Sequence, residues 1–154
     1  MFDLTTISLI LGSIGTVGTV AGGLRALLAS RKNLSIKIVD YTRHEKTVQF
    51  FMDIRNKSSF PIAISRIDLS AGPDRTPCEL LAKKIRVSGG ILYRTPLFPL
   101  NIAARTSRLC FLEFLDAPEI SLTSGSKTSF AFDTNRGTIK KSVSLPPEGR
   151  YLHM

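Results

Sequence analysis

From Leu4 to Leu24 the chain runs for twenty-one residues without an ionisable side chain, and basic residues, Arg25 and then Arg31 and Lys32, close the stretch. A bilayer's hydrocarbon core is about 30 Å thick and takes roughly 20 helical residues to cross. The stretch therefore fits a membrane span. A cleaved signal peptide would open on a basic segment; here the chain opens Met1-Phe2-Asp3, and the apolar run is too long. A buried soluble helix is the other reading, but the segment shows no polar face of the kind a half-buried helix carries.

Its glycines point the same way. Gly12, Gly15, Gly18, Gly22 and Gly23 would each weaken an isolated helix in water by about 1 kcal/mol relative to alanine. Where two helices touch in lipid, small residues let the backbones approach. Gly18 and Gly22 are spaced for such a contact, and Gly15, Thr19 and Gly23 form a second row. Self-association through this face is expected. A dinucleotide loop at residues 12–18 is excluded by its GxxGxxG spacing and by the lack of a surrounding βαβ unit.

Flanking charge sets orientation. Only Asp3 and the amino terminus precede the run, whereas Arg25, Arg31, Lys32 and Lys37 follow it. The positive-inside rule then puts the rest of the chain in the cytoplasm, as a single-pass protein. Two cysteines, Cys78 and Cys110, suit a reducing compartment; a bridge between them stays open for an exported domain. Asp3 and Arg25 cancel, so the net charge of +9 belongs almost wholly to the residues after 30. That basic part would be drawn to an anionic leaflet or, as a lesser alternative, to nucleic acid.

After Asn33 the pattern changes to alternation. Val48, Phe50, Met52 and Ile54 point one way from a strand over 46–56, and Gln49, Phe51, Asp53 and Arg55 the other. Residues 56–61 form a turn, and Ile62 opens the next strand. There the apolar phase slips between Ile64 and Ile67, as a β-bulge near Ser65 and Arg66 would produce. Ala71 to Asp74 closes that strand. Residues 79–87 read as either a helical turn or an extended segment, and 88–105 as a connection with little regular structure. Residues 106–114 are apolar on both faces, which suits a central strand. Residues 127–133 and 138–145 flank Thr134 to Gly137 as a hairpin, with Phe130, Phe132, Ile139, Val143 and Leu145 inward.

About seven strands at this spacing predict a mainly β fold: an antiparallel Ig-like β-sandwich preceded by one N-terminal α-helix. The expected organisation is a hydrophobic helix over 1–30, a sandwich over 31–148 and a tail over 149–154. Phe50 to Gly72 (FFMDIRNKSSFPIAISRIDLSAG) and Pro99 to Phe114 (PLNIAARTSRLCFLEF) resemble strand pairs of Ig-like sandwiches of the water-stress/LEA-14 kind. The resemblance covers about a third of the chain and implies a fold; one sandwich hosts many functions.

No catalytic signature accompanies that fold. His44 and His153 are the only histidines, one expected in a turn and the other next to the last residue. Metal-ligand spacing is missing, the serines lack a nucleophile elbow, and Asp53, Asp68 and Asp133 fall on outward strand positions with a solvated face expected. Neither an enzyme nor a cofactor, metal or small-molecule substrate is inferred. Lys83, Lys84 and Arg86, with Lys140 and Lys141, are candidates for contact with an anionic surface. Strand edges guarded by charge are the favoured explanation for them. Phe51 and Tyr93 are the candidates for stacking on nucleic acid bases. Asn33-Leu34-Ser35 and Asn56-Lys57-Ser58 match the glycosylation pattern. The expected role is a membrane-anchored, non-enzymatic module that binds a protein partner or a membrane surface within a larger assembly. A virion-type structural subunit, its apolar helix packed between neighbours, is the alternative, and a basic nucleic-acid-binding module is a third.

Overall fold

A computed structural model describes residues 33–86, 92–117, 119–120 and 122–147. The chain divides into two units, Met1–Arg31 and Lys32–Met154. The expected N-terminal helix, its glycines and its flanking bases lie outside the described residues, as does the tail. Among the described residues no helix is long and apolar enough to cross a membrane.

What is described is mainly β. The ten strands are β1 (Leu34–His44), β2 (Thr47–Asn56), β3 (Ile62–Ala71), β4 (Asp74–Pro77), β5 (Lys84–Arg86), β6 (Leu92–Arg94), β7 (Leu100–Ile102), β8 (Ser107–Phe114), β9 (Lys127–Thr134) and β10 (Gly137–Ser144). All pairings are antiparallel. One sheet runs β1-β2-β8; a second runs β10-β9-β3-β4, with β7 also pairing β3; β5 and β6 form a separate hairpin.

Alternation decides which face each strand buries. In β2, Val48, Phe50, Met52 and Ile54 are fully buried while Arg55 is exposed. Phe130 of the larger sheet meets Phe50 edge-on at 5.2 Å and Phe114 at 6.1 Å, so the two sheets face each other across an aromatic centre. Such geometries add about 0.5–1.5 kcal/mol per pair to the burial of the rings. Ile62, Ile64, Ile67, Leu69, Phe132 and Leu112 complete the middle of one continuous core. The register of β3 against β9 slips between Ile64 and Arg66, at the bulge the sequence phase predicted. The β9–β10 turn ends on Gly137 at φ 92°, a left-handed conformation that favours glycine. The Thr134 hydroxyl ties the turn by donating to the Gly137 carbonyl at 2.7 Å.

Several expectations are corrected. The described residues hold ten strands rather than about seven, because segments too short to show alternation still pair. Asp74 opens β4 rather than only closing the strand before it, and 88–105 contains β6 and β7. Residues 79–86 form no helical turn; Lys84 to Arg86 is extended. Most consequential, β8 is an edge strand and not a central one. Its outer face is apolar because Tyr93 of β6 stacks on Phe111 at 5.9 Å and meets Phe51 at 5.4 Å. The β5–β6 excursion therefore adds a third layer over part of the small sheet.

Candidate functional site

Burial and hydrogen bonding first remove several candidates. Asn56 is fully buried. Its side-chain amide donates to the carbonyls of Phe60 (2.8 Å), Ile102 (3.2 Å) and Ala103 (3.1 Å), and its oxygen accepts from the Ser58 N–H (2.9 Å) and hydroxyl (2.7 Å). It locks the β2–β3 turn to the β7–β8 turn and is no glycosylation acceptor. Asp68, expected on a solvated face, is buried and ion-paired with Arg66. Asp133 does face outward, where it accepts from the Thr138 hydroxyl at 2.7 Å. Phe51 and Tyr93 pack on one another and offer no free stacking platform. His44 is exposed at the end of β1. Both cysteines are free and buried, and burial pushes each thiol up to about 11, which leaves them neutral and poorly reactive. Among the described residues no group of His, Cys, Asp and Glu is arranged to hold a metal.

The basic candidates are not gathered into one patch. Lys140 and Lys141 are consecutive on β10, so their side chains leave opposite faces of the sheet. Lys141 shares the inward phase of Ile139 and Val143, opposite Phe130; an inward charge on an edge strand discourages further pairing. Lys83 is held by Glu79 at 3.1 Å and Glu113 at 3.6 Å. The Glu79 hydrogen bond raises the Lys83 ammonium, and the same contact lowers Glu79. Lys84 is exposed at the start of β5, and Arg86 ends that strand. β10 neighbours β1 at one edge of the sandwich. Cys78 bridges to Phe114 of β8 at the other, so the two lysine groups belong to opposite edges.

The β8 edge is where unusual surface collects. Six large apolar side chains are exposed among the described residues: Phe60, Leu80, Leu81, Leu97, Leu109 and Leu115. Phe60 carries the Arg136 guanidinium over its ring at 5.3 Å. The other five all come from β8, the residue after it, or the 78–97 excursion beside it. Leu97 is 70% exposed, Leu81 68% and Leu109 59%, values that ordinary packing would not leave clustered. A groove of about 400 Å³ lies here, lined by Ala82, Arg94, Thr95, Pro96, Leu97, Arg108, Leu109 and Cys110. Its charged lining is basic only. The acids nearby, Glu79 and Glu113, are engaged by Lys83, and Asp53 sits one strand further in, across from Leu109.

Two features fix the groove. Thr95 is buried; its hydroxyl accepts the Lys83 N–H at 2.7 Å and donates to the Leu81 carbonyl at 3.0 Å. Those bonds hold the two arms of the excursion together and set Arg94 and Leu97 in place. Opposite them lies an incompletely paired strand edge. The Thr106 carbonyl accepts from Asn56 of β2 at 2.9 Å, whereas the Glu113 carbonyl accepts from Glu79 on the far side at 2.7 Å. Backbone direction alternates along a strand, so Ser107, Leu109 and Phe111 turn their N–H and C=O groups away from β2. No strand of the described residues pairs with them there, the excursion's backbone bridging β8 only at Phe114; Phe111 is buried under Tyr93, which leaves Ser107 and Leu109 exposed. Sequence reasoning missed this edge, since the apolar character of Leu109 and Phe111 reads as a central strand.

No family model matches the chain, and no curated protein matches it. A solved structure, the apo PmoF2 PCuAC domain, is similar at a TM-score of 0.46 and 9% identity, over 79% of this chain and 94% of that one; no site residue is carried across from it.

Proposed function

We propose that this chain is a non-enzymatic, single-pass membrane module whose Ig-like sandwich, of the water-stress/LEA-14 kind, serves as an accessory subunit by contacting a partner at the membrane. The observation that carries the reading is the collection of five exposed leucines along one sandwich edge, beside Arg94 and Arg108. A monomeric surface seldom leaves apolar area contiguous unless something covers it. The uncharged run from Leu4 to Leu24 supports the anchor, and the bases that follow it support a cytoplasmic sandwich. The glycine rows of that run favour helix–helix contact over a lone span.

Cross-linking of the full chain in detergent tests the assembly part of this reading. A dimer or higher species that Gly18→Leu abolishes is expected. Monomer alone, with Gly18→Leu harmless, contradicts it. Protease added to inverted vesicles but not to intact cells should degrade the sandwich; cleavage in intact cells reverses the orientation.

A further inference from the structure

We propose that the open edge of β8, with its bordering groove, accepts an extended acidic segment of another protein by β-strand addition. This rests on the interaction reading above and names its partner. Three observations converge on the edge. Ser107 and Leu109, both exposed, present backbone donors and acceptors on the side away from β2, and no strand of the described residues meets them. Folds usually blunt such an edge with charge, proline or a cover. Here the stretch carries one charge, Arg108, and beside it an exposed leucine. Moreover, the groove beside it supplies both kinds of side-chain contact that strand addition uses: apolar ground at Leu97, Pro96 and Leu109, and cations at Arg94 and Arg108. Main-chain hydrogen bonds then give affinity while alternate side chains of the incoming strand give specificity.

Charge selects the occupant. A second copy pairing antiparallel about Leu109 would bring its own Arg108 and Arg94 up to the same pair, placing like charges together. An extended segment alternating carboxylates with apolar residues meets the arginines with one face and the leucines with the other. Arginine's planar fork suits carboxylates in a bidentate manner. Because Glu79 and Glu113 are already held by Lys83, they do not compete for Arg94 or Arg108.

The test uses the full chain in detergent and a short synthetic peptide alternating glutamate with valine, with a lysine–valine peptide as control. Fluorescence anisotropy should show saturable binding of the glutamate peptide and none of the lysine peptide. Arg94→Glu with Arg108→Glu should weaken the glutamate peptide by at least about tenfold, as reversal of two interface charges does, and should admit the lysine peptide. Leu109→Pro removes an N–H that faces the open edge and no ladder bond; it should abolish peptide binding with the far-UV spectrum unchanged. If that variant fails to fold, the charge-reversed pair decides alone. Equal binding of both peptides, or of neither, overturns the proposal. So does binding of phosphatidylglycerol vesicles that is lost in the arginine variant while the peptide is ignored, which assigns the groove to lipid. A dimer broken by Leu109→Pro assigns it to a second copy instead. Failure of the peptide with the chain still membrane-held sinks this proposal and spares the anchored-module reading; release from the membrane does the reverse.

Discussion

Asn56 joins two turns through five hydrogen bonds of one buried side chain. Asn56→Ala takes this partner from the Ile102 carbonyl and the Ser58 N–H, while the Phe60 and Ala103 carbonyls keep bonds from the Ser58 and Thr106 hydroxyls, and a buried unsatisfied group is destabilising by about 1–3 kcal/mol. A loss of about 3 kcal/mol in denaturant unfolding is expected, with the slope unchanged; a shift within error would show the site is not held as described. The cysteines give a pH signature. Burial raises both thiols to about 11 from an ordinary value of 9.0. Between those values the unfolded chain sheds protons that the folded chain keeps, so stability is full below about pH 9 and falls as pH rises toward about 11. Cys78→Ala with Cys110→Ala should flatten that part of the stability–pH curve. At this scale the sequence was a poor guide. An Asn-x-Ser turn looks identical whether its amide faces water or caps two buried loops, and the Asp68 partner, two residues before it, lies within an apparently ordinary exposed strand face.

At the scale of elements, length governed what could be read. β2, β3 and the β9–β10 hairpin each span eight or more residues, long enough for alternation, the phase slip at Ser65 and the Gly137 turn to be visible. β4 to β7 span three or four, too few for any period to emerge. β4 forms against the adjacent end of β3, β5 and β6 against each other with the Thr95 hydroxyl joining their arms, and β7 against the distant start of β3. The edge position of β8 was hidden for a related reason: apolar residues on both faces signal two covering layers, and a lateral neighbour leaves no such trace. Phe130 ties the sheets together through Phe50 and Phe114. Phe130→Ala is expected to lower stability by about 4 kcal/mol, the range for a large buried ring, measured as a shift in denaturant midpoint. A shift below about 1 kcal/mol would mean the sheets are held together elsewhere.

Taken whole, the molecule pairs an uncharged N-terminal run with a sandwich that has two unlike edges. The β1/β10 edge carries Lys141 in an inward phase, which guards it; the β8 edge carries leucine and an open backbone, which exposes it. Charge therefore does not serve one function across the surface. Lys141 guards one side, and the proposed partner contact, with Arg94 and Arg108, lies on the other. The bulk charge of +9 did not disclose this division, because only topology tells which strands lie at an edge. The proposed anchor, by contrast, rests on the sequence alone, on the length of the run from Leu4 to Leu24 and its lack of ionisable groups. Its most direct test is alkaline carbonate extraction of membranes from cells expressing the full chain. The account predicts that the protein stays in the pellet and is freed only by detergent; recovery in the carbonate supernatant would contradict it.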